Sequence, residues 1–146
     1  MKPHMRTALV ATAIVTALLV GRPVRAADWT PQAWTNESTV ELRTTDPGQE
    51  PHWFPVWLVV IDGQLYVRLG SRAAGRFDRN VSKPVIGVRI AGKTFEQVRG
   101  VQAPDMVEKV AAAMGQKYWS DLFVAYMSHP YTLRLEPVPG ASGDGL

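Results

Sequence analysis

The chain has 146 residues, no cysteine, and a formal charge of +3 from sixteen Lys and Arg against thirteen Asp and Glu. The missing cysteine excludes disulfides, thiolate metal sites, a cysteine nucleophile and an acylated lipoprotein anchor. The basic excess sits at the N-terminus. Lys2, Arg6, Arg22 and Arg25 fall in the first 26 residues, which hold no acid, so the remaining 120 residues set twelve basic against thirteen acidic side chains, a net −1. A general affinity for nucleic acid does not follow from such a balance.

Residues 1–26 read as a secretory signal peptide. Lys2 and Arg6 form a basic start, Leu9 to Val20 is an uncharged apolar run, and Val24-Arg25-Ala26 precedes a cleavage point at Ala27. The rival reading, a membrane anchor, needs roughly 18 or more apolar residues, more than this run supplies. The expectation is an exported protein, periplasmic or secreted, with no membrane attachment after cleavage. Residues 27–137 suit one domain with one core. The Gly- and Ser-containing tail, 138–146, is expected to be disordered.

Along the mature chain the pattern is mostly that of strands. Gln32 to Glu37 is a candidate short helix after Pro31. Thr39 to Thr44 alternates Val40 and Leu42 against Glu41 and Arg43, the period of a half-buried strand. Asp46-Pro47-Gly48 marks a turn. A strand with Pro55 near its start then runs to Asp62-Gly63, a two-residue hairpin turn, which pairs Ile61 with Gln64, Val59 with Tyr66 and Trp57 with Arg68. Val85 to Ala91, Thr94 to Arg99 and Tyr131 to Glu136 complete six strands. Between the last two, Pro104 opens a helix with an apolar stripe of Met106, Val107, Val110, Ala113 and Met114. A second helical stretch is expected from about Tyr118 to Tyr126. The fold class is mainly β (α+β): a six-stranded antiparallel barrel with one or two helices packed on it, which leaves few exposed edges.

Two features of the hairpin region carry chemistry. Leu58, Val60, Leu65 and Val67 share one face, the barrel interior; Trp57, Val59, Tyr66 and Arg68 share the other, with Arg68 placed to lie over Trp57. So aromatic an outer face reads either as an interface, formed by Trp57, Tyr66 and Arg68, or as a surface covered by the helix or the N-terminal segment. Immediately after it, Arg68, Arg72, Arg76, Arg79 and Lys83 lie within sixteen residues, opposed only by Asp78. Gly70, Ser71 and Gly75 add flexible backbone and a hydroxyl. Forked donors beside free amides are what a phosphate site needs. The alternative is a solvated turn and short helix whose arginines pair with Asp78, Glu96 or Glu136. Neither a Walker A motif nor a dinucleotide fingerprint is present. His52 and His129, the two histidines outside the leader, lack metal-ligand spacing, so no metal is expected. No catalytic acid, base or nucleophile can be nominated.

Pro55 to Asn80 resembles the pyridoxamine-phosphate-oxidase-like flavin-binding split barrels. More narrowly, the chain is similar to the DUF2255 group of unknown function, through Val56-Trp57-Leu58-Val59-Val60, Leu65-Tyr66-Val67-Arg68, Gly75-Arg76-Phe77, Val88-Arg89-Ile90-Ala91-Gly92, Lys117-Tyr118 and Thr132-Leu133-Arg134-Leu135-Glu136-Pro137. These pieces cover most of the mature domain in order. The resemblance implies a split barrel that forms a homodimer, with flavin mononucleotide (FMN) or a deazaflavin held at the subunit interface. Arg68, Ser71 and Arg76 would be the phosphate-side residues, and Arg72 and Arg79 join them by proximity. The chain departs from the pattern in two ways: it carries a leader, and Asn80 and Pro84 are separated where the family joins them. Two functions remain open: an exported domain binding a phosphorylated ligand or flavin-like cofactor, and a flavin- or deazaflavin-dependent oxidoreductase in which the cofactor carries the hydride chemistry.

Overall fold

A computed structural model describes residues 25–118 and 129–139. The expected leader up to residue 24, the second helical stretch expected after Tyr118 and most of the tail lie outside the described residues. Six strands close into a barrel: β1 (Thr39–Thr44), β2 (His52–Ile61), β3 (Gln64–Leu69), β4 (Val85–Ile90), β5 (Lys93–Gln102) and β6 (Tyr131–Pro137). Their order around the wall is β1-β2-β3-β6-β5-β4, every neighbour antiparallel. Helix α1 (Ser71–Arg79) follows β3 directly, and α2 (Val107–Lys117) follows a 3-10 turn, Pro104–Met106, after β5.

The alternating strands bury the side chains their period assigns inward. Val40, Leu42, Leu58, Leu65, Val67, Ile86, Val88, Ile90, Leu133 and Leu135 all lie in the barrel core. At one end, Trp34 and the half-buried Trp29 meet Phe95 edge-on, with ring centroids 4.9–5.8 Å apart. The hairpin register is as the turn dictates, Ile61 to Gln64, Val59 to Tyr66 and Leu58 to Val67. Asp62 and Gly63 both take positive φ, 50° and 73°, as a two-residue turn with right-handed twist requires.

Four expectations need correction. Pro55 is mid-strand rather than near the start, because β2 begins at His52. It is tolerated there since His52 to Trp57 pair only with β1, leaving the other side without a ladder to break. β5 runs three residues past Arg99, through Gly100, which a Cβ could not occupy without coming to 3.0 Å from Phe77 Cε2. The segment after Pro31 makes only one 3-10 turn, Pro31–Trp34. In α2, Val110 and Met114 are buried but Val107 is 45 % exposed, because the 3-10 first turn shifts the phase at which the helix meets the barrel.

Outside the barrel, the Trp53 ring lies between two guanidinium groups, Arg43 at 5.2 Å and Arg89 at 4.2 Å from its centroid. Arg43 pairs with Glu96, and Arg89 with Glu41 at 2.6 Å. Gly87 is the seat of this stack, since a Cβ there would fall 2.8 Å from Arg43 Nε.

Candidate functional site

β2 and β3 stop pairing at Leu58–Val67. Below that point β3 continues alongside β6, with Arg68 opposite Thr132 and Leu69 opposite Tyr131, while β2 continues alongside β1. The gap between them is a cavity of about 660 Å³, within the range of small-molecule and cofactor sites. β2 supplies His52, Phe54, Pro55, Val56 and Trp57 to its wall. Arg68 enters from β3, and Gly70, Ser71, Arg72, Ala73 and Arg76 from the start of α1; Met114 and His129 complete it.

Helix α1 explains the grouping. Gly70 is its N-cap, extended at φ −66°, so the first-turn amides of Ser71, Arg72 and Ala73 stand at the cavity, where a helix N-terminus favours an anion. Arg72 and Arg76 follow one turn apart on one side of the helix. The opposite side is anchored. Phe77, 3 % exposed, enters the barrel core with Ala74, and its ring takes Tyr131 edge-on and Lys83 at 5.5 Å. Asp78 accepts from Lys83 Nζ at 2.8 Å and from the Tyr131 hydroxyl, which lies 2.9 Å from both carboxylate oxygens. Those hydrogen bonds, Lys83 first, hold the Asp78 carboxyl below its ordinary pKa. Asn80 closes the helix, accepting from Thr45 N and donating to Val85 O.

Of the five residues nominated for a phosphate, the structure brings together Arg68, Ser71, Arg72 and Arg76. Arg79 is elsewhere, its Nε 3.1 Å from Asp46 on the loop after β1. The acids that could have neutralised the arginines at the cavity pair elsewhere: Asp78 with Lys83 of the same loop, Glu96 with Arg43 and Glu136 with Arg134. Among the described residues Arg68, Arg72 and Arg76 form no ion pair, and no carboxylate lines the cavity. Arg76 instead lies 5.7 Å from the Phe54 ring centroid.

The hairpin's outer face is filled from within the chain. Val59 and Tyr66, the latter 5 % exposed, pack under Val110 and Met114 of α2. The Trp57 ring does not receive Arg68; it stacks on Tyr118 at 4.7 Å and 8°. The reason lies at the end of α2. The Tyr118 hydroxyl is 2.7 Å from both Ser38 O and Leu58 O, and accepts from Leu58 N at 3.3 Å. Lys117 Nζ donates to Glu37 O and Leu58 O. Burial raises the Tyr118 pKa and lowers that of Lys117. Only the Trp57 and Arg68 end of the proposed interface therefore stands at the cavity.

Sequence reasoning missed His52, Phe54, Met114 and His129 as lining residues. Alternation along β2 would have placed His52 and Phe54 on one face, but nothing local joins them to residues 114 and 129. No group of three or more His, Asp or Glu is placed to hold a metal among the described residues.

No family model matches the chain, and no curated protein matches it. Solved structures do. HutZ, the heme storage protein from Vibrio cholerae, is similar with a TM-score of 0.53 at 17% identity, over 75% of this chain and 88% of that one. A second solved structure gives 0.58 at 20% identity, over 80% and 86%. An F420-H2-dependent reductase gives 0.47 at 13% identity, over 68% and 95%. The first two likenesses establish the fold. It is a closed six-stranded antiparallel barrel.

Proposed function

We propose that this chain binds a phosphorylated flavin-type cofactor, FMN first among candidates and a deazaflavin next. The anionic end would lie on Arg68, Ser71, Arg72 and Arg76, and the ring in the cavity beside Phe54 and Trp57. One observation carries the reading: three arginines and a helix N-terminus line a cavity whose wall, among the described residues, holds no carboxylate. Forked donors of fixed charge suit a phosphate dianion. The narrower kinship with the DUF2255 group rests on motif order. Export, with a mature start at Ala27, rests on the leader. A homodimer closing the cavity over the Trp57 and Arg68 rim belongs to the same proposal, as does the use of the bound cofactor in an oxidoreductase.

Titration of FMN into the mature chain and its Arg76→Ala variant, followed by flavin fluorescence, tests the site. Loss of one charge-assisted contact costs about 1.5–3 kcal/mol, so the variant should bind roughly tenfold or more weakly. Hemin is the control ligand, because His52 and His129 share the wall. Failure of FMN to bind in the micromolar range would overturn the reading, and equal binding by both proteins would move the site elsewhere.

A further inference from the structure

Trp57 and Arg68 are the first residues past the last β2–β3 pair, Leu58–Val67, and both line the cavity. One further rung of ladder would set them opposite each other on its outer face, within reach of a guanidinium–indole contact. Instead the indole lies flat against Tyr118, with centroids 4.7 Å and planes 8° apart. The Tyr118 hydroxyl fixes where that ring sits. It meets Leu58 N, Leu58 O and Ser38 O, and Ser38 immediately precedes Thr39, the residue opposite Trp57 in the β1–β2 ladder. Lys117 ties the same helix end to Glu37 O and Leu58 O. Tyr118 is thus held on the β1 side of β2, and stacking on it draws the indole toward β1, away from β3 and Arg68. Among the described residues Arg68 forms no ion pair and lies over no ring.

Competition links these two facts. A guanidinium stacked on an aromatic face is withdrawn from an anion, and the apparent affinity falls with the fraction of molecules in which it is free. Arg76 shows such a contact in the same cavity, 5.7 Å from the Phe54 ring centroid. We infer that Tyr118 is a positioning residue for the anion site: by holding the Trp57 indole on the β1 side, it keeps Arg68 free for the phosphate of the ligand. Tyr118 does not itself line the cavity; it acts through Trp57 on Arg68. A leucine at position 118 would release the indole to swing toward β3, where Arg68 stands. A phenylalanine would keep the stack, with Lys117 still tying the helix end. The inference rests on the anion half of the proposed function, since it needs a phosphate at Arg68 but no flavin ring.

The test titrates inorganic phosphate into the mature chain and follows the Gly70 to Arg76 amides and the Arg68 Nε–H by NMR. In the wild type the Arg68 Nε–H should show no upfield ring-current shift. Tyr118→Leu should move it upfield and weaken phosphate binding about threefold or more, whereas Tyr118→Phe should match the wild type. Adding Trp57→Leu to Tyr118→Leu removes the competing ring and should regain the lost affinity, which a general loosening of the fold would not do. Equal phosphate affinity in the wild type and Tyr118→Leu, or no regain in the double variant, would overturn the inference. So would an upfield-shifted Arg68 in the wild type, a result that needs no variant to fold. Amides unmoved by phosphate would overturn it too, while the FMN titration with Arg76→Ala decides the proposed function separately.

Discussion

Phe77→Ala is the perturbation that asks most of the structure, because one side chain holds the cationic helix to the barrel. Phe77 is 3 % exposed, and Ala74 is the only other buried residue of α1. Its ring fills the space over Gly100, sits edge-on to Tyr131 at 6.1 Å and lies beneath the Lys83 ammonium. Removing a buried phenylalanine costs about 3–5 kcal/mol, and more of that range applies when the surroundings cannot collapse. Here one wall is a barrel strand, β5, paired on both sides, so collapse is limited. In a domain of this size each kcal/mol lowers the midpoint by roughly 3–6 °C, and a fall of at least ~10 °C is expected. Urea unfolding followed by tryptophan fluorescence supplies the free energy, and an unchanged slope shows that the unfolded state is not the cause. Phe77→Leu should recover most of the loss. A cost below ~1 kcal/mol for the alanine variant would refute the view that Phe77 docks α1.

Arg79→Ala should leave FMN affinity unchanged in the titration that weakens with Arg76→Ala. Its stability cost should not exceed ~1 kcal/mol by denaturant unfolding, since the Asp46 pair is largely exposed on the arginine side. Stability should also fall as pH drops below about 4: the Asp78 carboxyl is held below its ordinary value of 3.8, so its contribution is present above that value and is lost as the folded group protonates. Asp78→Asn should flatten that part of the stability–pH curve, and an unaltered curve would assign the acid sensitivity to other carboxylates.

The sequence made the barrel legible where a residue's neighbours decide its fate. β1, β4 and β6 follow from strict alternation, and the β2–β3 register from a turn dipeptide. Legibility failed where a distant segment decides. Gly100 looks like a strand terminator until Phe77 is seen to need its missing Cβ. Trp57 looks free to receive Arg68 until Tyr118, sixty-one positions on, occupies its face. Four of the five cationic-loop nominees share the cavity because helical spacing repeats every turn, and Arg79 departs because three residues past Arg76 it has turned toward Asp46. His52 and His129 were visible only as isolated residues, since their common wall is made by closure of the barrel.

The two-sided burial of the β2–β3 hairpin has a consequence for how the chain finds its alignment. A strand with one wet face is policed by its own polarity, because a slip of one residue turns charged groups inward. This hairpin has little such policing over its central rungs: Leu58, Leu65 and Val67 enter one core, and Val59 and Tyr66 the other. Slipped pairings would still bury apolar side chains. Choice among them falls to Asp62 and Gly63, two residues at positive φ. A dipeptide at the tip thus governs whether Arg68 arrives at the cavity or one step to its side.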